Sequence, residues 1–469
     1  MDQFEVAVLG GGGAGENIAR PLAAAGKRVA LIEEARIGGA CPFVACVPSK
    51  VMLRSAEVRL LLRRAPELGA TAGAVDPGSG RAAYAAAVRR RERIVPRGDV
   101  DGERMLAEAG VDLFRGRGRV VRPGVLAVDQ REIGWHDLVI ATGSAAAMPP
   151  IDGLDRVPCW TSDEALTSEA LPASLAVLGG GPVGCELAQV FAAFGCAVTI
   201  IEAAARLLPS EEPAVGDLLA KALAGDGVRL RLGVEARTAE PTPNGARLWL
   251  ANGEAIEVER VLVATGRTPR VAGIGLEALG IEPGKSGIAI DARCRVEAQE
   301  HVWAAGDVAG VDPYTHTAEY QARIVVANLS GNGELADYRA IPRMVYTSPP
   351  VAAVGLTRER AEAEGRNVLA AAADLADTPR AEAASTELGR LELIADAERG
   401  VLIGAAAIGD QSDSWLGEAL LAIRAELPID TVAKVVHAFP TYNQIYDQAL
   451  AGLLRQRDRS PDGGSSSRR

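Results

Sequence analysis

Metal-binding and cross-linking residues are scarce in this chain, whose 469 residues include only six cysteines and four histidines. Six cysteines do not make a disulfide scaffold at this length. A structural zinc site needs four ligands close together, and the chain has a single close pair of cysteines and few histidines to complete one. The sequence therefore predicts no metal site.

Long apolar segments and an excess of positive charge are also missing. No run of about 18 residues is apolar and free of charge, so we expect no membrane span. The first residues lack a basic stretch followed by an apolar one, which favours a cytoplasmic over a secreted protein. The net charge of −11 argues against a nucleic-acid partner. The one dense basic run, residues 89–93, is predicted to be a solvated helix face.

Two segments of the chain repeat one pattern. Residues 4–34 and residues 174–203 each read as an apolar strand, a glycine-rich turn, an amphipathic helix and a second strand that ends in a glutamate. Each repeat is followed later by the tripeptide Ala-Thr-Gly, at 141–143 and at 264–266. This pattern predicts an α/β fold with two Rossmann-like dinucleotide-binding domains, the second inserted after the first.

The glycines of both repeats fit the spacing G-x-G-x-x-G. In such a turn the first glycine permits the tight bend, the second lets the backbone approach a pyrophosphate, and the third lets the helix pack closely on the sheet. Because both copies follow a strand and open a helix, glycine-rich turns without a ligand are the weaker interpretation. The six candidate cofactor-binding glycines are Gly10, Gly12, Gly15, Gly179, Gly181 and Gly184.

The acidic residue at the end of each repeat bears on the cofactor. Glu33 and Glu202 are each placed to hold an adenosine ribose. A carboxylate at Glu202 accepts hydrogen bonds from a ribose 2′-hydroxyl and repels a 2′-phosphate, which favours NADH over NADPH. Arg206, four residues further on, is placed where it could meet such a phosphate, so NADPH stays possible.

The stretch GGACPFVACVPSK, residues 38–50, contains the close cysteine pair, Cys41 and Cys46. A thiol at a helix N-terminus has a lowered pKa, and two such thiols one turn apart can close into a disulfide and reopen by exchange. Half of a zinc site and two buried core cysteines are the alternatives that the residues alone leave open.

These motifs together resemble the flavin-dependent pyridine nucleotide–disulfide oxidoreductases, the group of dihydrolipoamide dehydrogenase and of glutathione, mycothione and mercuric reductases. The resemblance runs from residue 4 to about residue 450. It is carried by GGACPFVACVPSK, both glycine motifs, both Ala-Thr-Gly tripeptides, AAGDV at 304–308 and VYTSPPVAAVGLT at 345–357.

The resemblance implies a role for several residues. The first repeat would bind FAD, with Asp307 on the flavin's ribityl chain, and the second would bind the nicotinamide nucleotide. Lys50 would lie near the flavin N5 and pair with Glu186. Cys46 would be the charge-transfer thiol against the flavin, and Cys41 the interchange thiol that faces the substrate. Further candidate cofactor-binding residues are Gly39, Gly118, Thr142, Gly143 and Gly266.

The same resemblance implies a domain order and a homodimer. An FAD-binding domain would take residues 1–150 and, after an NAD(P)-binding domain at 151–275, continue at 276–338. A C-terminal α+β dimerisation domain would cover 339–455, and the polar residues 456–469 are predicted to be a disordered tail.

The C-terminal segment departs from the family. Members that reduce disulfides usually read H-x-H-P-T-x-S-E there, where the histidine before Pro-Thr is an acid–base group and the glutamate orients it. This chain has Phe439 and Gln444 at those two positions. His437 is a candidate substitute and Tyr442 a weaker one, since a phenol has a pKa near 10. Pro182 stands where many relatives place a bulky residue that gates the nicotinamide pocket.

Three functions follow from this departure. The first is electron transfer from NAD(P)H through FAD to the Cys41–Cys46 disulfide, and from there to a disulfide or other small acceptor. The second is a quinone or metal-ion reductase that needs no acid–base dyad. The third is a flavin-binding protein that is catalytically weakened.

Overall fold

The computed structural model describes residues 1–96 and 98–459. Its first part is built on a sheet of order β3-β2-β1-β6-β5-β4, in which β1, β2, β3 and β6 are parallel. Residues 6–9 of the central strand and residues 29–32 of its neighbour are apolar and buried, as expected where other elements cover both faces of the sheet. The elements are β1 (Asp2–Leu9), α1 (Gly13–Ala24), β2 (Val29–Glu33), α2 (Ala40–Val44), α3 (Cys46–Arg64), α4 (Gly80–Ile94), α5 (Val100–Glu108), β3 (Asp112–Arg115), β4 (Gly118–Arg122), β5 (Val125–Val128), β6 (Arg131–Ile140) and β7 (Ser144–Ala146).

The second part repeats this architecture in a parallel sheet of order β11-β10-β9-β15-β8. A three-stranded antiparallel sheet, β12-β13-β14, adjoins it, and β16 returns to pair with β7. The elements are β8 (Cys159–Trp160), α6 (Ser162–Thr167), β9 (Ser174–Leu178), α7 (Pro182–Ala193), β10 (Ala197–Glu202), α8 (Pro213–Gly225), β11 (Arg229–Leu232), β12 (Ala236–Thr242), β13 (Gly245–Leu250), β14 (Ala255–Val258), β15 (Arg260–Val263) and β16 (Arg267–Pro269).

The chain then rejoins the first sheet. Strand β17 (Val302–Ala304) lies parallel to β6, and helix α9 (Thr315–Leu329) packs on α1. This crossing back brings the first residue of α9 to the cysteine pair, far away in sequence.

The C-terminal part is an antiparallel sheet of order β18-β19-β22-β21-β20 covered by helices. Its last helix extends to Arg459, so the predicted tail begins inside this helix. Residues 460–469 of the predicted tail lie outside the described residues. The elements are β18 (Pro342–Val345), β19 (Val351–Gly355), α10 (Arg358–Ala363), β20 (Val368–Asp374), α11 (Pro379–Ala383), β21 (Arg390–Asp396), β22 (Val401–Ile408), α12 (Ser412–Trp415), α13 (Gly417–Arg424), α14 (Ile429–Val432) and α15 (Ile445–Arg459).

Two Rossmann-like units and an α+β C-terminal domain are thus present, as the sequence predicts. Across the described residues, no helix is both long and apolar enough to cross a membrane. The basic run at 89–93 differs from its predicted exposure at one position. Arg91 is buried, because its guanidinium donates to the carbonyl oxygens of Thr167 and Ser168.

Candidate active site

The two glycine turns have nearly the same geometry. Gly10 and Gly179 both have φ +108°, and a Cβ on either would lie within 2.4 Å of a carbonyl oxygen of the neighbouring strand end. A Cβ on Gly15 or Gly184 would lie within 2.0 Å of the carbonyl oxygen of the first glycine. Only glycine fits these four positions without moving the backbone.

The middle glycine of each turn faces open space instead. A Cβ on Gly181 would meet no atom within 4 Å, and one on Gly12 would meet only the Cα of Gly39, at 3.8 Å. This space lies in front of the N-termini of α1 and α7, where backbone N–H groups and the helix dipole favour an anion. We call each glycine turn, residues 10–15 and 179–184, together with the start of the helix that follows it, a glycine cradle. Both cradles fit the pyrophosphate of a dinucleotide.

The acidic residues Glu33 and Glu202 are bound alike. One oxygen of each accepts a hydrogen bond from the second residue of its glycine turn, and the other accepts one from the residue two positions further along the chain. A carboxylate can accept about four hydrogen bonds, so each retains capacity for a ribose hydroxyl. The bonds are Gly11 N–Glu33 Oε2 2.7 Å, Ala35 N–Glu33 Oε1 2.6 Å, Gly180 N–Glu202 Oε2 2.6 Å and Ala204 N–Glu202 Oε1 2.7 Å.

The side chain of Arg206 is engaged near Glu202. Its Nη2 donates to the carbonyl oxygen of Pro209 at 3.3 Å and lies 3.9 Å from Glu359. The guanidinium is therefore held by its own loop in this structure, which leaves the carboxylate of Glu202 as the charge nearest the second glycine turn.

The remaining predicted cofactor-binding residues are held by hydrogen bonds, by a special backbone conformation or by close packing. The Thr142 hydroxyl donates to a carbonyl oxygen at 2.7 Å, Gly143 has φ +71°, and the carbonyl of Gly266 accepts a backbone hydrogen bond at 2.9 Å. A Cβ on Gly118 would lie 2.3 Å from the side chain of Leu9, so packing against the sheet accounts for this glycine.

Asp307 lies at a junction of the two units. Its carboxylate accepts a hydrogen bond from the Ser144 hydroxyl and lies 3.6 Å from Nε of Arg267. The neighbouring Gly306 N–H is held by the buried side chain of Gln321 at 2.7 Å. These bonds fix the carboxylate at the carboxyl end of β17, on the same sheet edge as the first glycine turn.

The cysteines lie against that first cradle. Gly39 has φ +68° and a Cβ there would lie 2.9 Å from the Cα of Gly12, so the chain that leads into α2 crosses directly over the glycine turn. Cys41 is in the first turn of α2, and Cys46 is the first residue of α3. Both thiols are therefore at helix N-termini, half-buried, and free.

Thr315 bridges the two sulfur atoms. Its Oγ1 lies 3.3 Å from the Cys46 sulfur and 3.4 Å from the Cys41 sulfur. Sequence reasoning missed this residue, because it is the first residue of α9, 269 positions after Cys46, and belongs to no recognisable motif.

The two thiols differ in acidity. A hydrogen bond from Cys41 lowers the pKa of Cys46 to about 6, with Thr315 and the charge of Lys50 acting in the same direction against burial. The same hydrogen bond, together with burial, raises the pKa of Cys41. The pair is thus a thiolate at Cys46 with a protonated donor at Cys41.

Lys50 and Glu186 form an ion pair next to this thiolate. The ammonium lies 2.9 and 3.2 Å from the two oxygens of the buried carboxylate, which also accepts the backbone N–H of Tyr346 at 2.9 Å. Lys50 lies one helical turn after Cys46 on α3, and α3 packs on α7, which carries Glu186. The Lys50 ammonium also lies 4.6 Å from the centre of the Tyr346 ring.

A cavity of about 220 Å³ opens beside the N-terminus of α7. Pro182, Tyr314 and Val345 contribute to its lining, together with Arg343 and Glu211, which form a buried ion pair at 2.7 Å. The small ring of Pro182 leaves this space open next to the second glycine turn.

His437 and Phe439 lie elsewhere, in the segment before α15. Both ring nitrogens of His437 are engaged, Nδ1 with Asp447 at 2.9 Å and Nε2 with Glu418 at 3.0 Å. Burial by itself lowers the pKa of His437, but its bonds to the two carboxylates outweigh burial and raise it. The Phe439 side chain is 74% exposed. The hydrogen-bond partners of His437 in the described residues are thus two carboxylates and not the cysteines.

Gln444 and Tyr442 have structural partners. Gln444 Oε1 accepts the backbone N–H of Thr441 and closes a capping box at the start of the last helix. Tyr442 is buried, and its hydroxyl lies 3.3 Å from the carboxylate of Asp410. Burial raises the pKa of Tyr442, which makes it a poor proton donor to a thiolate.

The sequence profile of the pyridine nucleotide-disulphide oxidoreductases matches residues 4–322, and that of their dimerisation domain matches residues 341–450. The chain belongs to this family. The family depends on FAD and uses NAD(P)H as its pyridine nucleotide, and both glycine cradles fit such groups. The profile of the dimerisation domain coincides with the antiparallel sheet and the helices that cover it.

Similar proteins cover almost the whole chain. A dihydrolipoyl dehydrogenase of Chlorobaculum parvum is 33% identical over 97% of this chain and 98% of its own length. A mercuric reductase of Shigella flexneri is also 33% identical, over 97% of this chain and 81% of its own. The structure is similar to the copper(II) complex of the HOCl-induced flavoprotein disulfide reductase RclA from Escherichia coli, with a TM-score of 0.83, 28% identity, and coverage of 95% and 99%.

The structure brings together Cys41, Cys46, Lys50 and Glu186, to which the resemblance assigns the redox site. His437 and Phe439 lie apart from them, whereas His316 directly follows Thr315 on α9, with its Nε2 2.8 Å from the carbonyl oxygen of Pro342.

Proposed function

We propose that this protein is a flavoprotein oxidoreductase that passes electrons from NAD(P)H through FAD to a redox-active Cys41–Cys46 disulfide, and then to a disulfide or other small acceptor. FAD supplies the two-electron step between nicotinamide and sulfur. The observation that carries the proposal is the position of Cys41 and Cys46 beside the first glycine turn, with Thr315 within 3.4 Å of both sulfur atoms and the Lys50–Glu186 ion pair one helical turn away.

Each residue of such a site would have a separate role. Cys46, with its pKa of about 6, stays a thiolate at neutral pH, while Cys41 retains its proton. Cys41 is the thiol that exchanges with a substrate once its proton has passed to the Cys46 thiolate to which it is hydrogen-bonded, because only a thiolate attacks a disulfide. Thr315 and Lys50 stabilise the charge on Cys46. Glu186 fixes the ammonium of Lys50, and the cavity next to Pro182 accommodates the nicotinamide end of a nucleotide whose adenosine ribose is held by Glu202.

The working unit is proposed to be a homodimer formed through the C-terminal domain. Val436 and Phe439 are 93% and 74% exposed and lie three positions apart in one segment. Apolar side chains exposed together mark an interaction surface. A two-fold interface would bring this segment of one protomer towards the site of its partner.

A second candidate is a metal-ion or quinone reductase. It is supported by the C-terminal segment: Phe439 has no proton to donate, Gln444 caps a helix, and both nitrogens of His437 are occupied. Disulfide exchange needs a proton delivered to a leaving thiolate, whereas reduction of a thiolate-bound cation does not. One relative is named a mercuric reductase, and one similar structure is a copper(II) complex. A flavin-binding protein with weakened turnover is the third possibility.

Steady-state oxidation of NADH with a panel of acceptors separates these functions. Lipoamide and glutathione disulfide represent disulfides, Hg²⁺ and Cu²⁺ represent metal ions, and a benzoquinone represents quinones. Wild type is compared with Cys41→Ser, and Cys159→Ser is the matched control because Cys159 lies outside the site. Loss of disulfide turnover only in Cys41→Ser supports the first function. Quinone or metal turnover that survives Cys41→Ser supports the second, and no turnover with any acceptor supports the third.

A further inference from the structure

Two of the four histidines of this chain meet at one carboxylate in the first sheet. His136 Nδ1 lies 2.9 Å from one oxygen of Asp137, and His301 Nδ1 lies 3.2 Å from the other. The two imidazole rings are 4.4 Å apart between centres. Asp137 and His301 are 164 positions apart and become neighbours because β17 pairs with β6.

This arrangement has the dimensions of a transition-metal site. One ligand atom from each of the three residues lies within 4.8 Å of the other two. Ligands held at about 2.0–2.1 Å around a tetrahedral ion are separated by roughly 3.3 Å. The observed nitrogen–oxygen separations of 2.9 and 3.2 Å, which are measured to the two different oxygens of Asp137, are within a few tenths of an ångström of that value.

The surroundings also suit an ion that enters from solvent. The side chains of His136 and His301 are 68% and 46% exposed, so both rings are open to solvent, whereas Asp137 is only 18% exposed. The Trp303 indole N–H lies 3.4 Å from the carboxylate, the kind of outer bond that orients a ligand.

His437, which also lies between two carboxylates, shows the contrast. Its partners Glu418 and Asp447 bind opposite ring nitrogens, so no single ion could contact all three residues. His136 and His301 instead each place Nδ1 next to the carboxylate of Asp137.

We propose that His136, Asp137 and His301 bind one divalent transition-metal ion of the Zn²⁺ class, outside the site of the cysteines. Two imidazoles and a carboxylate suit such an ion, with water completing its coordination. The ion would join β6 to the residue before β17, and so connect the two stretches of chain that the second Rossmann-like unit separates. Sequence analysis predicts no metal site because these ligands lie on two distant segments.

Isothermal titration calorimetry with Zn²⁺ tests this directly on the FAD-loaded protein. The background is Cys41→Ser/Cys46→Ser, which removes the thiols as competing ligands. We expect one Zn²⁺ per chain, bound at least about tenfold more weakly after His136→Gln/His301→Gln. His437→Gln is the control and should leave binding unchanged. Zn²⁺ should raise the Tm of the background protein but not of the double histidine variant.

Flavin absorbance and circular dichroism check that each variant is folded, and His301→Gln alone gives a milder change at the same site. The proposal is overturned if the double histidine variant binds Zn²⁺ as tightly as the background protein. It is also overturned if no Zn²⁺ binds, or if His437→Gln removes the binding.

Discussion

The hydroxyl of Thr315 lies 3.3 Å from the sulfur of Cys46, although the two residues belong to helices that are 269 positions apart. The hydroxyl lies near both sulfurs, and its hydrogen bond lowers the pKa of Cys46. Hydrogen bonds to charged groups contribute about 1.5–3 kcal/mol. Thr315 is therefore part of what keeps Cys46 ionised.

We expect Thr315→Val, which keeps the shape but removes the hydroxyl, to raise the pKa of Cys46 by roughly one to two pH units. The measurement is the ultraviolet absorbance of the thiolate in the reduced protein as a function of pH. Thr315→Ser, which keeps a hydroxyl, should behave like wild type. An unchanged titration in Thr315→Val would show that the contact has no electrostatic role.

The reactivity of Cys46 should depend on pH in a defined direction. Because its pKa is lowered to about 6, the sulfur is a thiolate above that pH and a weakly reactive thiol below it. We expect alkylation of the reduced protein by iodoacetamide, followed by peptide mass spectrometry, to reach half its maximal rate at Cys46 near pH 6. Cys159 is an internal reference, since burial raises its pKa to about 11. Parallel profiles for the two residues would contradict the assignment.

Glu186→Gln should leave the Lys50 ammonium without its carboxylate partner while keeping an acceptor for the Tyr346 N–H. Loss of a charge-assisted bond of about 1.5–3 kcal/mol corresponds to roughly a 10- to 150-fold effect. We expect flavin reduction by NADH, followed by stopped-flow absorbance, to slow by at least about tenfold. Glu132→Gln is the control, because it alters an exposed glutamate that is paired with Arg122 on the first sheet, and it should have no effect.

The two structurally equivalent glutamates should have separate functions. We expect Glu202→Gln to shift the ratio of kcat/KM for NADPH over NADH upwards by about tenfold or more, because the repulsion of a 2′-phosphate is removed. Glu33→Gln should instead lower the content of bound FAD, measured by flavin absorbance per chain, without changing nucleotide preference. A change of preference in Glu33→Gln would mean that the two units have exchanged roles.

Val436→Asp tests the proposed dimer. An aspartate at an apolar interface loses its hydration without gaining a partner, so we expect the protein to elute as a monomer in size-exclusion chromatography with light scattering. Val100→Asp is the matched control, since Val100 is 74% exposed in the first domain and should leave a dimer intact. The proposed interface would be contradicted if the wild-type protein were a monomer, or if Val436→Asp remained a dimer.

Sequence patterns predict this fold well where the backbone conformation and the packing of neighbouring elements require the same residue type. The glycine turns are readable because Gly10 and Gly179 need a positive φ and their helices need the close approach of a third glycine. These features depend on a few consecutive residues and a repeated spacing. The pairing of Lys50 with Glu186, by contrast, is implied only by the resemblance to the family, and the structure has the two groups 2.9 Å apart.

Contacts between residues that are far apart in the sequence could not be predicted in this way. Thr315 and His301 reach their partners only because the segment after residue 275 returns to the first sheet. Arg91 is buried because the loop around Ser168 supplies carbonyl acceptors, which a count of charges does not reveal. The engagement of both nitrogens of His437 is likewise a matter of tertiary packing.

The most direct test of the account is an anaerobic titration of the purified protein with NADH, in which the flavin spectrum is recorded for wild type and Cys41→Ser. The account predicts long-wavelength thiolate-to-flavin absorbance, with wild type taking up one more pair of electrons than Cys41→Ser before its flavin bleaches. Bleaching after one equivalent of NADH in both proteins would contradict it, because the Cys41–Cys46 pair would then not take part in electron transfer.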